Sequence, residues 1–125
     1  MAARGILQAA TVFAKTTQTD IGSELGVSGY NYLTLFLEYT KGDETGLLVQ
    51  AHVLRETGGT EFQYCTWANS SGTWSVTAGE HTLTAAADVY ITFDVSGIEI
   101  IKFTQGGSNN DGTPTGTLAV SYTLK

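Results

Sequence analysis

Residues 30–40 read YNYLTLFLEYT. Leu33, Leu35, Leu37 and Tyr39 stand at every second position, and Tyr30, Tyr32 and Phe36 occupy alternate ones. Strand side chains point to opposite faces in turn, so a period of two predicts a β-strand. The first set makes one apolar face, suited to a core. The second set makes the other face apolar too, which predicts burial on both sides or contact with another subunit.

Downstream, residues 41–46 (KGDETG) form a turn signal, and 47–55 alternate again. Leu47, Val49, Ala51 and Val53 fall on one face; Leu48, Gln50, His52 and Leu54 fall on the other. If these two strands pair, Tyr30, Tyr32, Phe36, Leu48 and Leu54 form one outward apolar patch. That patch is the candidate oligomer interface.

The remaining chain repeats this grammar. Short runs rich in Thr, Val, Ile, Tyr and Phe cover 61–67, 74–76, 80–86, 88–96, 98–104 and 117–124. Turn signals separate them: ETGGT at 56–60, NSSGT at 69–73, Ser96-Gly97, and the long QGGSNNDGTPTG at 105–116. Upstream, 6–14 predict a strand and 15–29 (KTTQTDIGSELGVSG) a polar loop or arm. The expected organisation is an N-terminal strand and arm over 1–29 and a β body over 30–125, the body folding without the arm. About eight strands at spacings of about 8–12 residues, with no helical stripe, predict an antiparallel β-sandwich. Its core should hold Leu33, Leu35, Leu37, Val49, Ala51, Val53, Ile91, Phe93, Val95, Leu118, Val120 and Tyr122.

A chain of 125 residues allows one domain. Its net charge of −6 argues against nucleic-acid binding and against an anionic membrane surface as partners. Residues 1–29 contain no apolar block after a basic start, so no secretory leader is expected.

Catalytic chemistry finds little purchase. His52 and His81 lie 29 positions apart, outside any nucleophile motif, and suit surface or interface imidazoles. The single cysteine, Cys65, excludes an internal disulfide and is expected as a buried, inert thiol. Acids such as Asp43, Glu44, Glu56 and Glu61 stand in or beside turns, where carboxylates are solvated or cap backbone N–H groups. Asn109, Asn110 and Asp111 lack the ligand spacing of a calcium loop. No enzymatic activity, metal or cofactor is therefore expected. Trp67 and Trp74 flank the 69–73 turn, so a hairpin would bring them together. They read either as a core or interface pair or as a platform for stacking a sugar.

Residues 30–46 (YNYLTLFLEYTKGDETG) carry the pattern Y-x-x-L-x-L-x-x-x-Y-T-x-G-D-E-T. This pattern resembles a segment of small structural proteins of tailed bacteriophages, and 90–124 resemble the closing strands of the same class. The resemblance covers residues 30–125 and rests on strand and turn patterns. It implies a jelly-roll-like sandwich and a virion protein, such as a capsid decoration or head-fibre subunit. It further implies a homo-oligomer, most often a trimer, bound to the major capsid protein at the capsid surface. The competing function is a carbohydrate-binding module using Trp67 and Trp74.

Overall fold

The computed structural model describes residues 3–14, 17–108 and 113–125. The chain is an all-β sandwich, as its period-two patterning predicts. The strands are β1 (Ala3–Val12), β2 (Thr19–Gly26), β3 (Tyr32–Thr40), β4 (Leu47–Leu54), β5 (Phe62–Gln63), β6 (Cys65–Ser70), β7 (Thr73–Ala78), β8 (Glu80–Leu83), β9 (Ala87–Asp94), β10 (Ile100–Gly107) and β11 (Thr117–Leu124).

The pairings nest: β1 with β11, β2 with β10, β3 with β9, and β4 with β5 and β8, all antiparallel. Successive pairs alternate between two sheets, in the orders β1-β11-β3-β9 and β2-β10-β4 followed by β5 and β8. The fold is thus one long hairpin rolled over on itself.

The short strands β5 and β8 lie in line along the same edge of β4. Gln63 pairs with His52 and Glu80 with Gln50, so they are two halves of one edge strand. At the break, opposite Ala51, the chain leaves at Tyr64 and returns at Gly79. Between them runs the hairpin β6–β7, a two-stranded sheet of its own. Counting β5 and β8 together leaves eight sandwich strands plus this inserted hairpin.

The core lies between the sheets. Leu33, Leu35, Leu37, Val49, Ala51, Phe93, Val95, Leu118 and Val120 are buried, and Val53, Ile91 and Tyr122 pack half-buried against them. Among the described residues every buried side-chain polar atom has a hydrogen-bond partner. The side-chain amides of Gln8 on β1 and Gln105 on β10 exchange hydrogen bonds of 2.8 and 3.0 Å across the sheets. Glu44, buried in the β3–β4 connection, accepts from the Tyr39 hydroxyl and from the backbone N–H groups of Gly42, Thr115 and Gly116. One carboxylate thereby joins that connection to the segment entering β11. Gly42 lies so close to Thr115 and Gly116 that a side chain there has no room.

Three expectations are corrected. Residues 15–29 are not simply a loop: Thr19–Gly26 form β2, with Ile21 fully buried, and Val27 just beyond it is buried too. β1 and β2 each fill a sheet position, so no boundary between arm and body falls near residue 29. β3 and β4, neighbours in sequence, belong to different sheets and do not pair. The calcium-like run at 109–111 lies outside the described residues.

Candidate interaction surfaces

The separation of β3 from β4 divides the predicted interface patch. Tyr32 and Phe36 project from the outer face of the β3 sheet, about half and a third exposed. Leu48 is half-buried on the other sheet. Leu54, opposite Ile100 at the end of β4, is buried and cannot be a surface contact. Tyr30 precedes β3 in a turn, its N–H donating to the Val27 carbonyl at 3.1 Å, and packs half-buried on the core.

A different patch takes its place. Register aligns Ile6 with Ser121, Ser121 with Phe36, and Phe36 with Tyr90. These residues form a row straight across all four strands of one outer face. Ile6 is 80% and Tyr90 70% exposed. The rings of Phe36 and Tyr90 meet at 6.4 Å between centroids. Beside the row, Thr34 and Thr92 share a 3.0 Å hydroxyl contact. On its other side Glu38 stands opposite Asp88. Apart from Ser121 the belt is apolar, and it is polar along both margins, the anatomy of a protein contact.

The opposite outer face is polar. Lys102 reaches Asp20 at 2.9 Å and Glu61 at 3.2 Å; the Asp20 bond raises its pKa, burial opposes, and Glu61 adds to the rise. Thr104 donates to the Gln18 side chain and lies 3.3 Å from His52 Nε2. His52 is thus part of a surface hydrogen-bond network.

At the open edge of the sandwich, between β8 and β9, a cleft of about 370 Å³ has an apolar floor of Val49, Ala51, Ile91 and Phe93. Glu80, His81 and Asp94 stand at its rim. Tyr64 closes one end, its ring edge-on to Phe93 at 5.3 Å and its hydroxyl donating to the Asp94 carbonyl at 2.9 Å. Burial, reinforced by the Asp94 charge, raises the Tyr64 pKa. Asp94 in turn accepts from the Ser96 N–H, which lowers its own. Among the described residues no nucleophile, imidazole and carboxylate form one hydrogen-bonded chain, and no three metal-ligating side chains cluster.

The hairpin β6–β7 is the most exposed element. Its two-residue turn, Ser71-Gly72, takes positive φ at both positions, the geometry whose twist matches paired strands. Asn69 Oδ1 accepts from the Gly72 N–H at 2.9 Å. Trp67 pairs with Val76 and Asn69 with Trp74, which puts Cys65, Trp67, Asn69, Trp74, Val76 and Ala78 on one face. The other face carries Thr66, Ala68, Ser70, Thr73, Ser75 and Thr77. Trp67, Trp74 and Val76 are 71%, 61% and 69% exposed. The expected proximity of the indoles is therefore present, at 4.8 Å between centroids, but on the surface and not in a core. Cys65, expected buried, is exposed on the same face.

No family model matches the chain, and no curated protein matches it in sequence. Solved structures share its fold, among them two phage-named proteins. The SPBc2 prophage-derived protein YomS aligns with a TM-score of 0.60 at 16% identity, over 99% of this chain and 92% of that one. The PBSX exported protein XepA aligns with a TM-score of 0.57 at 16% identity, over 99% of this chain, which spans 37% of XepA.

Proposed function

We propose that the chain is a non-enzymatic structural protein of a tailed-phage particle, acting as a capsid decoration or head-fibre subunit. The observation that carries this reading is the belt Ile6–Ser121–Phe36–Tyr90, a row across a whole sheet face in which three of the four side chains are large, apolar and exposed. Isolated exposed apolar residues are ordinary, but three aligned across one sheet face between polar margins mark a contact surface. Two further points support it. The nested strand order of the two sheets supports a jelly-roll reading, the architecture the phage resemblance implies. Among the solved structures with the same fold is a prophage-derived protein, YomS.

In this reading copies of the chain associate through the belt, as a trimer by the resemblance, and the assembly sits on the major capsid protein at the capsid surface. Native mass spectrometry tests the first part: the expected mass is three times 13.3 kDa. A pull-down on purified empty capsids tests the second. A monomer that ignores capsids would end the proposal.

The exposed Trp67–Trp74 pair favours a second reading, a carbohydrate-binding module. Rings 4.8 Å apart cover part of each other, however, and do not form the flat side-by-side platform on which a sugar chain stacks. Binding on a glycan array, lost in Trp74→Ala, would promote this reading over the first.

A further inference from the structure

We infer that the β6–β7 hairpin is a second self-contact element, docking its Trp67–Trp74–Val76 face on the same face of another copy. The inference rests on the reading of the chain as a self-associating structural protein and, because like faces meet in pairs, adds a two-fold contact to the association through the belt.

Isolation comes first. A two-stranded hairpin is marginal in water unless a further strand or a hydrophobic partner covers it. Here β6 and β7 pair only with each other. Their ties to the body lie at the root, where the Tyr64 N–H donates to the Ala51 carbonyl and the Ala51 N–H to the Gly79 carbonyl. Yet the hairpin is two-faced: two indoles, Val76, Ala78 and Cys65 on one side, with Asn69 beside the turn their one amide, and hydroxyls and Ala68 on the other. A sequence that needed only a soluble loop would have no use for two tryptophans on one face.

Charge then selects the occupant. Residues 62–79 contain no Asp, Glu, Lys, Arg or His, in a chain whose net charge is −6. Two copies of an acidic protein repel wherever carboxylates meet, and an uncharged surface lets them approach without that penalty. A cationic partner would instead be met by carboxylates. A lipid bilayer fits poorly: each strand has six residues, or roughly 20 Å, against a hydrocarbon core of about 30 Å.

Area sets the strength. At 150–250 Å² for an aromatic side chain, the exposed parts of Trp67, Trp74 and Val76 offer roughly 400 Å² per copy. A face-to-face pair then buries about half of a standard interface from these residues alone. Cys65 and Ala78 widen it. A contact of this size is reversible and concentration-dependent.

Trp67 and Trp74 are the only tryptophans in the chain, so emission excited on the red side of tyrosine absorption reports this face. The experiment is a dilution series of the full chain, read by tryptophan emission, acrylamide quenching and sedimentation velocity. The expected result is blue-shifted, quencher-protected emission at high concentration that moves red in step with loss of mass. Trp74→Ser, with Trp67 left as reporter, should remove the shift and lower the mass, with its melting temperature close to wild type; Ser75→Ala, on the hydroxyl face, should keep both. Constant, exposed emission while the mass changes would overturn the inference and leave self-association standing. Constant emission with a monomer mass throughout would overturn both. A shift that appears only on adding phosphatidylcholine vesicles or a glycan would also overturn it, by showing a different occupant.

Discussion

The hydroxyl of Tyr39 donates to the carboxylate of Glu44, five residues on, and both side chains are buried where β3 ends and the chain crosses to the other sheet. Three backbone N–H groups complete the shell around that carboxylate. Burial by itself would raise the pKa of Glu44. The Tyr39 hydroxyl and the surrounding N–H groups overcome it and hold the pKa at about 2, against an ordinary 4.5. For Tyr39, burial and the same hydrogen bond push the pKa up.

The first prediction follows from this pair. A carboxyl whose pKa is lower in the folded state stabilises that state above its unfolded pKa and loses the contribution as pH falls toward the folded value. Between about pH 5 and about pH 2 the protein should therefore lose on the order of 3 kcal/mol from this one group. Glu44→Gln should be destabilised at about pH 7 by roughly 1–3 kcal/mol and should show a flatter pH dependence. Urea unfolding at several pH values measures both.

Gly79 faces Tyr64 at the root of the hairpin. A Cβ there would lie 2.6 Å from the Tyr64 ring and 2.9 Å from its carbonyl oxygen. Gly79→Val should cost about 1–3 kcal/mol through this crowding and displace Tyr64 from Asp94. A lower melting temperature, with faster proteolytic cleavage inside residues 65–78, is the expected outcome.

Phe36→Asp puts a charge in the middle of the belt, next to Tyr90 and near Glu38. The side chain is partly exposed, so the body should still fold, at a cost of about 1–2 kcal/mol. Self-association should fall sharply. Circular dichroism checks the fold and sedimentation velocity the assembly.

Deletion of residues 1–28 removes β1 and β2, one edge from each sheet, together with the buried side chains of Phe13, Ile21 and Val27. Leu→Ala-sized losses at single core sites already cost about 2–5 kcal/mol, and three such sites exceed the margin of a small domain. The truncated chain should be unfolded or insoluble. A cooperative unfolding transition in the truncated chain would show that the two strands are dispensable.

The alternation of Leu33, Leu35 and Leu37, and of Leu118 and Val120, was enough to predict strands and their inward faces, because a strand's facing depends only on its own backbone period. The turn at 69–73 likewise predicted that Trp67 and Trp74 meet, since a hairpin is a local structure. β2 escaped notice because an edge strand exposes most of its side chains: in TDIGSELG only Ile21 is buried, and a register irregularity between Ile101 and Phe103 breaks its pairing with β10. The candidate site depended on still longer reach. Whether β3 pairs with β4 or crosses to the other sheet is decided by contacts such as Glu44 with Thr115 and Gly116, more than seventy residues apart. That crossing buried Leu54, divided the patch predicted on adjacent strands, and aligned Ile6, Ser121, Phe36 and Tyr90 from four separate segments. Local periodicity determined that this chain is a β-sandwich; only tertiary pairing, whose energy comes from residues remote in sequence, decided which surface it leaves for a partner.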